Sequence, residues 1–124
     1  MNSHGNISFS WVEDIFALIV KGPFNEEGIE VSVPLLQESV LNRTYNKWKH
    51  LEMWDSEVLG SPETIKRCQF IWNWFNTNGC IKTAVVISNS IQAQVLEKHS
   101  DSSTQTFLDK EKALKWLRNT IQAH

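Results

Sequence analysis

The strongest constraint on this chain lies in its C-terminal third, from Ile81 to His124. There a short apolar run, a helical pattern, a second short run and a second helical pattern follow one another without gaps. Strands that alternate with helices in this way build parallel βα units, which sets an α/β fold class. The rest of the chain extends the pattern. Ile7, Phe9 and Trp11 alternate with Ser8 and Ser10, as in a half-buried strand. Ile15 to Lys21 is almost wholly apolar, as expected of a strand covered on both faces. Glu13-Asp14 between them suits a tight hairpin turn.

Helix signals follow in order. Asn25 can cap a first helix, with Glu26 and Glu27 at its positive end and Ile29, Val33, Leu36 and Val40 on one face. Pro34 inside it removes a hydrogen bond and should bend it about one turn earlier. Trp48 to Asp55 reads as a strand. Gly60-Ser61-Pro62-Glu63 opens a helix that runs to about Phe75, and Gly79 can take a left-handed conformation after it. Thr83 to Ile87 is the next strand, Ser88 or Ser90 caps a short helix, Thr104 to Phe107 is the last strand, and Asp109 caps the last helix. The expected order is β-β-α-β-α-β-α-β-α in a single domain over residues 1–124: a mixed sheet of about five strands with about four helices.

The order, together with three stretches, resembles the SpoIIAA-like family of STAS-fold proteins (sulfate-transporter and anti-sigma-factor-antagonist domains). The stretches are Asn25-Glu26-Glu27 followed by Pro34 and Leu35, Ala84-Val85-Val86, and Phe107-Leu108-Asp109 followed by Glu111, Ala113, Trp116 and Leu117. The resemblance implies helices largely on one side of the sheet and a regulatory, protein-binding role without catalysis. In the anti-sigma-factor antagonists a phosphorylatable serine opens the helix after the third strand. Ser61 holds the matching place here, without the Ser-Ser-Gly context and with Pro62 directly after it. Domains of this shape are also likened to lipid carriers, which implies an apolar ligand as the alternative.

Composition narrows the function classes. A net charge of −2 gives no basic excess to hold a phosphate backbone, so no nucleic-acid partner is expected. No apolar run approaches the roughly 18–20 residues that span a bilayer, and the N-terminus lacks the pattern of a secretory signal, so a cytoplasmic protein is expected. Cys68 and Cys80 stand apart without a CxxC spacing. Cys68 falls on the inner stripe of its helix and Cys80 reads as the more exposed thiol. His4, His50, His99 and His124 are scattered, so neither a metal nor another cofactor is expected. Glu52, Asp55, Glu57 and Glu63 read as a solvated strand end. Lys47, Lys49 and His50 form a small basic cluster.

Two sets of aromatics are candidate sites. Phe70 and Trp74 point away from the inner stripe of Ile65, Cys68, Ile71, Trp72 and Phe75, which suits contact anchors for a protein partner or for a homodimer. Trp11, Trp48 and Trp54 can line a pocket for a small apolar ligand.

Overall fold

In a computed structural model that describes residues 6–23, 26–58, 62–97 and 103–119, the order of elements is the expected one. They are β1 (Asn6–Val12), β2 (Ile15–Lys21), α1 (Glu26–Leu41), β3 (Trp48–Trp54), α2 (Pro62–Thr77), β4 (Cys80–Val86), α3 (Ser90–Glu97), β5 (Thr104–Phe107) and α4 (Lys110–Arg118). The strands form one five-stranded sheet in sequence order, with β1 antiparallel to β2 and every other pair parallel. The Glu13-Asp14 turn closes the hairpin, with Glu13 at a positive φ of 56°. Asn25 and Ser61 lie outside the described residues, as do His4, His99 and His124.

Alternation along the strands divides the core in two. Phe16, Leu18 and Val20 of β2, Trp48 and Trp54 of β3, and Val85 of β4 pack against α1, α2 and α3. On the opposite face Ile15, Leu51 and Ala84 pack against Ala113 and Leu117 of α4. Three of the four helices thus share a side. The expectation that both faces of β2 are covered holds on the three-helix side only. α4 covers β2 at Ile15, while Ile19 is exposed, because α4 lies over β3, β4 and β5.

Local chemistry explains the ends of the elements. α1 runs unbroken through Pro34, which sits on its exposed side. Asp109 caps α4 by accepting from the Glu111 N–H at 2.9 Å. The cap of α3 is Asn89 rather than either neighbouring serine. Its Oδ1 accepts from the Gln92 N–H at 2.9 Å, while Gln92 Oε1 accepts from the Ser88 N–H at 2.8 Å, a reciprocal arrangement of the capping-box kind. The hydroxyl of Ser88 is turned away and donates to the Trp54 carbonyl at 2.7 Å. Gly79 ends α2 at φ 103°, and a Cβ there would run into the Asn46 carbonyl oxygen.

Candidate functional site

β3 reads Trp48-Lys49-His50-Leu51-Glu52-Met53-Trp54. A strand turns successive side chains to opposite faces, so Trp48, His50, Glu52 and Trp54 share one, and it is the face beneath α1 and α2. Glu52 is therefore inside the protein. It is 4% exposed and His50 is 0%. Its carboxyl group is surrounded by donors. Trp54 Nε1–H donates to Oε2 at 2.6 Å and Trp72 Nε1–H, from α2, donates to Oε1 at 3.0 Å. His50 Nε2 lies 2.9 Å from Oε1. The Nδ1 of His50 faces the Phe16 carbonyl oxygen at 3.1 Å, which can only accept, so Nδ1 carries a proton and donates. Burial raises the pKa of Glu52, but the His50 hydrogen bond and charge and the two indole hydrogen bonds together outweigh it, and the carboxyl is held below its ordinary range. With Glu52 ionised all three contacts run inward as donations.

The cluster ties three elements together: β2 through Phe16, β3 through its own residues, and α2 through Trp72. Above it lies a cavity of about 40 Å³ between the sheet and the helices α1 and α2, lined by Leu18, Ile29, Leu36, Trp54 and Ile65 with Glu52 among the walls. That is room for a water molecule or two, against the several hundred Å³ of a typical small-ligand site. Chemically, the pair could exchange a proton between its members. At this burial it acts as a lock between elements.

The acidic group expected at a solvated strand end divides. Glu57 and Glu63 are exposed, and Asp55 holds the turn after β3 by accepting from the N–H groups of Gly22 and Glu57 at 3.1 and 3.0 Å. Glu52 departs from the expectation because the strand's alternation sends it inward with the tryptophans. The basic cluster also dissolves. Lys49 is buried and paired with Asp14 at 2.6 Å, His50 belongs to the core, and Lys47 is left exposed. Of the two thiols, Cys68 packs against the helix-side core as its stripe predicts, and Cys80 departs from the expectation. Cys80 opens β4 and is buried, its thiol pushed up to about 11 by burial. Cys68 is partly covered on α2, and burial together with the nearby Glu52 charge pushes its thiol well above the ordinary range.

Of the aromatic candidates, Trp11 and Trp48 meet edge-on at 5.3 Å between ring centroids, whereas Trp54 stands at the other end of β3. Phe70 is 59% exposed on α2, and Trp74 lies partly buried against the helix-side core. Trp54 borders the cavity. Trp48 is fully buried, with Nε1–H donating to the Asn78 carbonyl at 2.9 Å. Trp11 stacks on Phe16 at 4.7 Å between ring centroids and donates to Ser39 Oγ at 3.0 Å. No described helix is long and apolar enough to cross a membrane.

No protein-family model matches the chain, and no curated protein matches it either. Among solved structures, it is similar to an uncharacterized protein of the DUF3478 family from Shewanella loihica PV-4, whose crystal structure has a SpoIIAA-like fold. The match has a TM-score of 0.62 at 20% sequence identity and covers 94% of this chain and 97% of that one. At that identity the likeness concerns architecture, and with the observed order of strands and helices it establishes that this chain has the SpoIIAA-like fold.

Proposed function

We propose that the chain is a non-catalytic regulatory domain that works by binding another protein through the outer face of α2. The observation that carries this reading is Phe70, 59% exposed on a helix whose opposite side is buried in the core. A large aromatic left in water costs hydrophobic free energy, and aromatics of this kind anchor interfaces. Beside it Arg67 pairs with Glu30 of α1 at 2.9 Å, and Trp74 supplies a second, partly buried ring. The SpoIIAA-like fold fits a role like that of anti-sigma-factor antagonists. The sealed His50–Glu52 pair and the two thiols with raised pKa supply no exposed acid, base or nucleophile. Ser61 immediately precedes α2, and Pro62 stands about 12 Å along the helix from Phe70. A phosphate on Ser61 would act on this same helix as a switch.

The test is a photo-crosslinking amino acid at position 70 in cells that make the chain, followed by binding measurements with the captured protein once purified. A discrete adduct is expected, with binding weakened at least tenfold by Phe70→Asp. Binding that Phe70→Asp leaves unchanged would remove the reading.

A second reading, a carrier of a small apolar ligand, has the apolar lining of the cavity beside Trp54 and Glu52 behind it, but at about 40 Å³ the cavity is too small to hold one as it stands. A fatty acid would need α1 and α2 to part. Mass spectrometry of material extracted from denatured protein, with a fatty-acid titration followed by tryptophan fluorescence, decides it. No extractable ligand and no fluorescence change count against it.

A further inference from the structure

β1 is one edge of the sheet. Soluble proteins protect such edges with charge, proline, a bulge or a very short strand, because the outward backbone groups are a template for another strand. β1 has none of these. It is seven residues long, Asn-Ile-Ser-Phe-Ser-Trp-Val, without charge or proline, and its register with β2 is unbroken from end to end. The opposite edge, β5, has four residues. Among the described residues, Asn6–Val12 make no backbone hydrogen bond outside the ladder with β2.

Exposed apolar groups flank this edge on both faces of the sheet. On the helix side, the Trp11 indole donates to Ser39, so that flank of α1 faces β1. Glu30, which at about 100° per residue lies on the opposite flank of α1, reaches Arg67 of α2. Leu35 precedes Ser39 by one turn on the β1 flank and is 54% exposed, and Phe9 is exposed in the strand itself. On the other side, Val12 is 50% exposed, beyond the reach of α4.

We propose that the chain forms a two-fold dimer in which β1 pairs antiparallel with β1 of a second copy, centred on Phe9. Two five-stranded sheets then become one continuous sheet. The strand complements itself in this register. Ser8 stands opposite the partner's Ser10, Ile7 opposite the partner's Trp11, and no charge meets a like charge. Main-chain hydrogen bonds supply the attraction, as in other strand additions. Phe9 and Leu35 cover the seam on one face and Val12 on the other. The contact is distinct from the α2 surface, so a dimer formed this way leaves Phe70 free.

The test is light scattering coupled to size exclusion over a wide concentration range. It compares wild type with Ser8→Lys/Ser10→Lys, with Ser8→Glu/Ser10→Glu, and with an equimolar mixture of the two variants. Both serines are exposed, and circular dichroism melts check that each variant is folded. Wild type is expected to be a dimer and each charged variant a monomer, because like charges then face each other across the two-fold. The mixture should return to a dimer. Hydrogen exchange of wild type, free of any folding question, should show β1 amides gaining protection as concentration rises. A wild type monomeric throughout, a lysine variant that stays dimeric, or a mixture that stays monomeric would overturn the proposal. A dimer that Phe70→Asp dissociates while the lysine variant holds would move self-association to α2.

Discussion

The buried cluster on β3 makes a quantitative prediction that a double-mutant cycle can test. His50→Leu leaves the Glu52 carboxylate, 4% exposed, with the Trp54 and Trp72 indoles alone. Removing one partner of a buried pair costs about 3–5 kcal/mol, since the remaining charge is uncompensated. Glu52→Leu leaves two buried indole N–H groups without an acceptor, at about 1–3 kcal/mol each, or about 2–6 kcal/mol together. In the double variant the charge is gone and the same two indoles are orphaned, so its cost should be close to that of Glu52→Leu alone. The two single losses therefore sum to more than the double, and the excess is the cost of His50→Leu itself, a coupling of about 3–5 kcal/mol. A chain of this length has a stability of roughly 6–19 kcal/mol, so urea denaturation can measure each change wherever the wild-type stability exceeds the upper cost of about 6 kcal/mol. Costs that add to within about 0.5 kcal/mol would mean that His50 and Glu52 act independently, and the reading of the cluster as one unit would fall.

Other expectations follow from the same contacts. Because the folded-state pKa of Glu52 lies below its ordinary value of 4.5, the group adds stability above that pH and loses it as pH falls through the folded value. The stability gap between wild type and Glu52→Gln, from urea curves at several pH values, should thus hold steady from neutrality to about pH 4.5 and shrink below it. A gap that stays unchanged as pH falls to about 3 would contradict the assignment. Cys80, with its thiol near 11, and Cys68, higher still, should alkylate at pH 8 at least tenfold more slowly in the folded protein than in urea, as read by mass spectrometry. Equal rates would show that the thiols are open to solvent. Gly79→Ala should cost more than about 1 kcal/mol by denaturation, since both the positive φ and the Asn46 carbonyl oppose a side chain. Phe70→Asp should change stability by less than about 0.5 kcal/mol, which makes it a cleaner probe of the α2 surface than a change at the partly buried Trp74.

The architecture was largely legible in the sequence because it rests on local signals. Period-two strands, capped helices and the Glu13-Asp14 turn carry their own instructions, and the resemblance to SpoIIAA-like proteins agreed with them. The cluster was half legible. Trp48, His50, Glu52 and Trp54 recur at every second position of β3, so a strand buried at its two tryptophans must bury the histidine and glutamate between them. Reading the carboxylates by their proximity in sequence concealed that period. Trp72 was not legible as a partner, because it reaches Glu52 through the packing of α2 on the sheet. The exposure of Ile19 was hidden for a related reason: its strand is apolar throughout, and how far α4 extends over the sheet is a tertiary matter. Cys80 looked exposed beside Gly79, yet β4 begins at that residue and takes the thiol inward.

Binding through α2 is the claim on which the functional account rests, and photo-crosslinking from position 70 tests it most directly. The account predicts a discrete adduct to another protein, absent when the same probe is placed at the exposed Val31 of α1 and competed away by wild-type chain but not by Phe70→Asp. A chain that forms no adduct from position 70, or the same adduct from both positions, would contradict it.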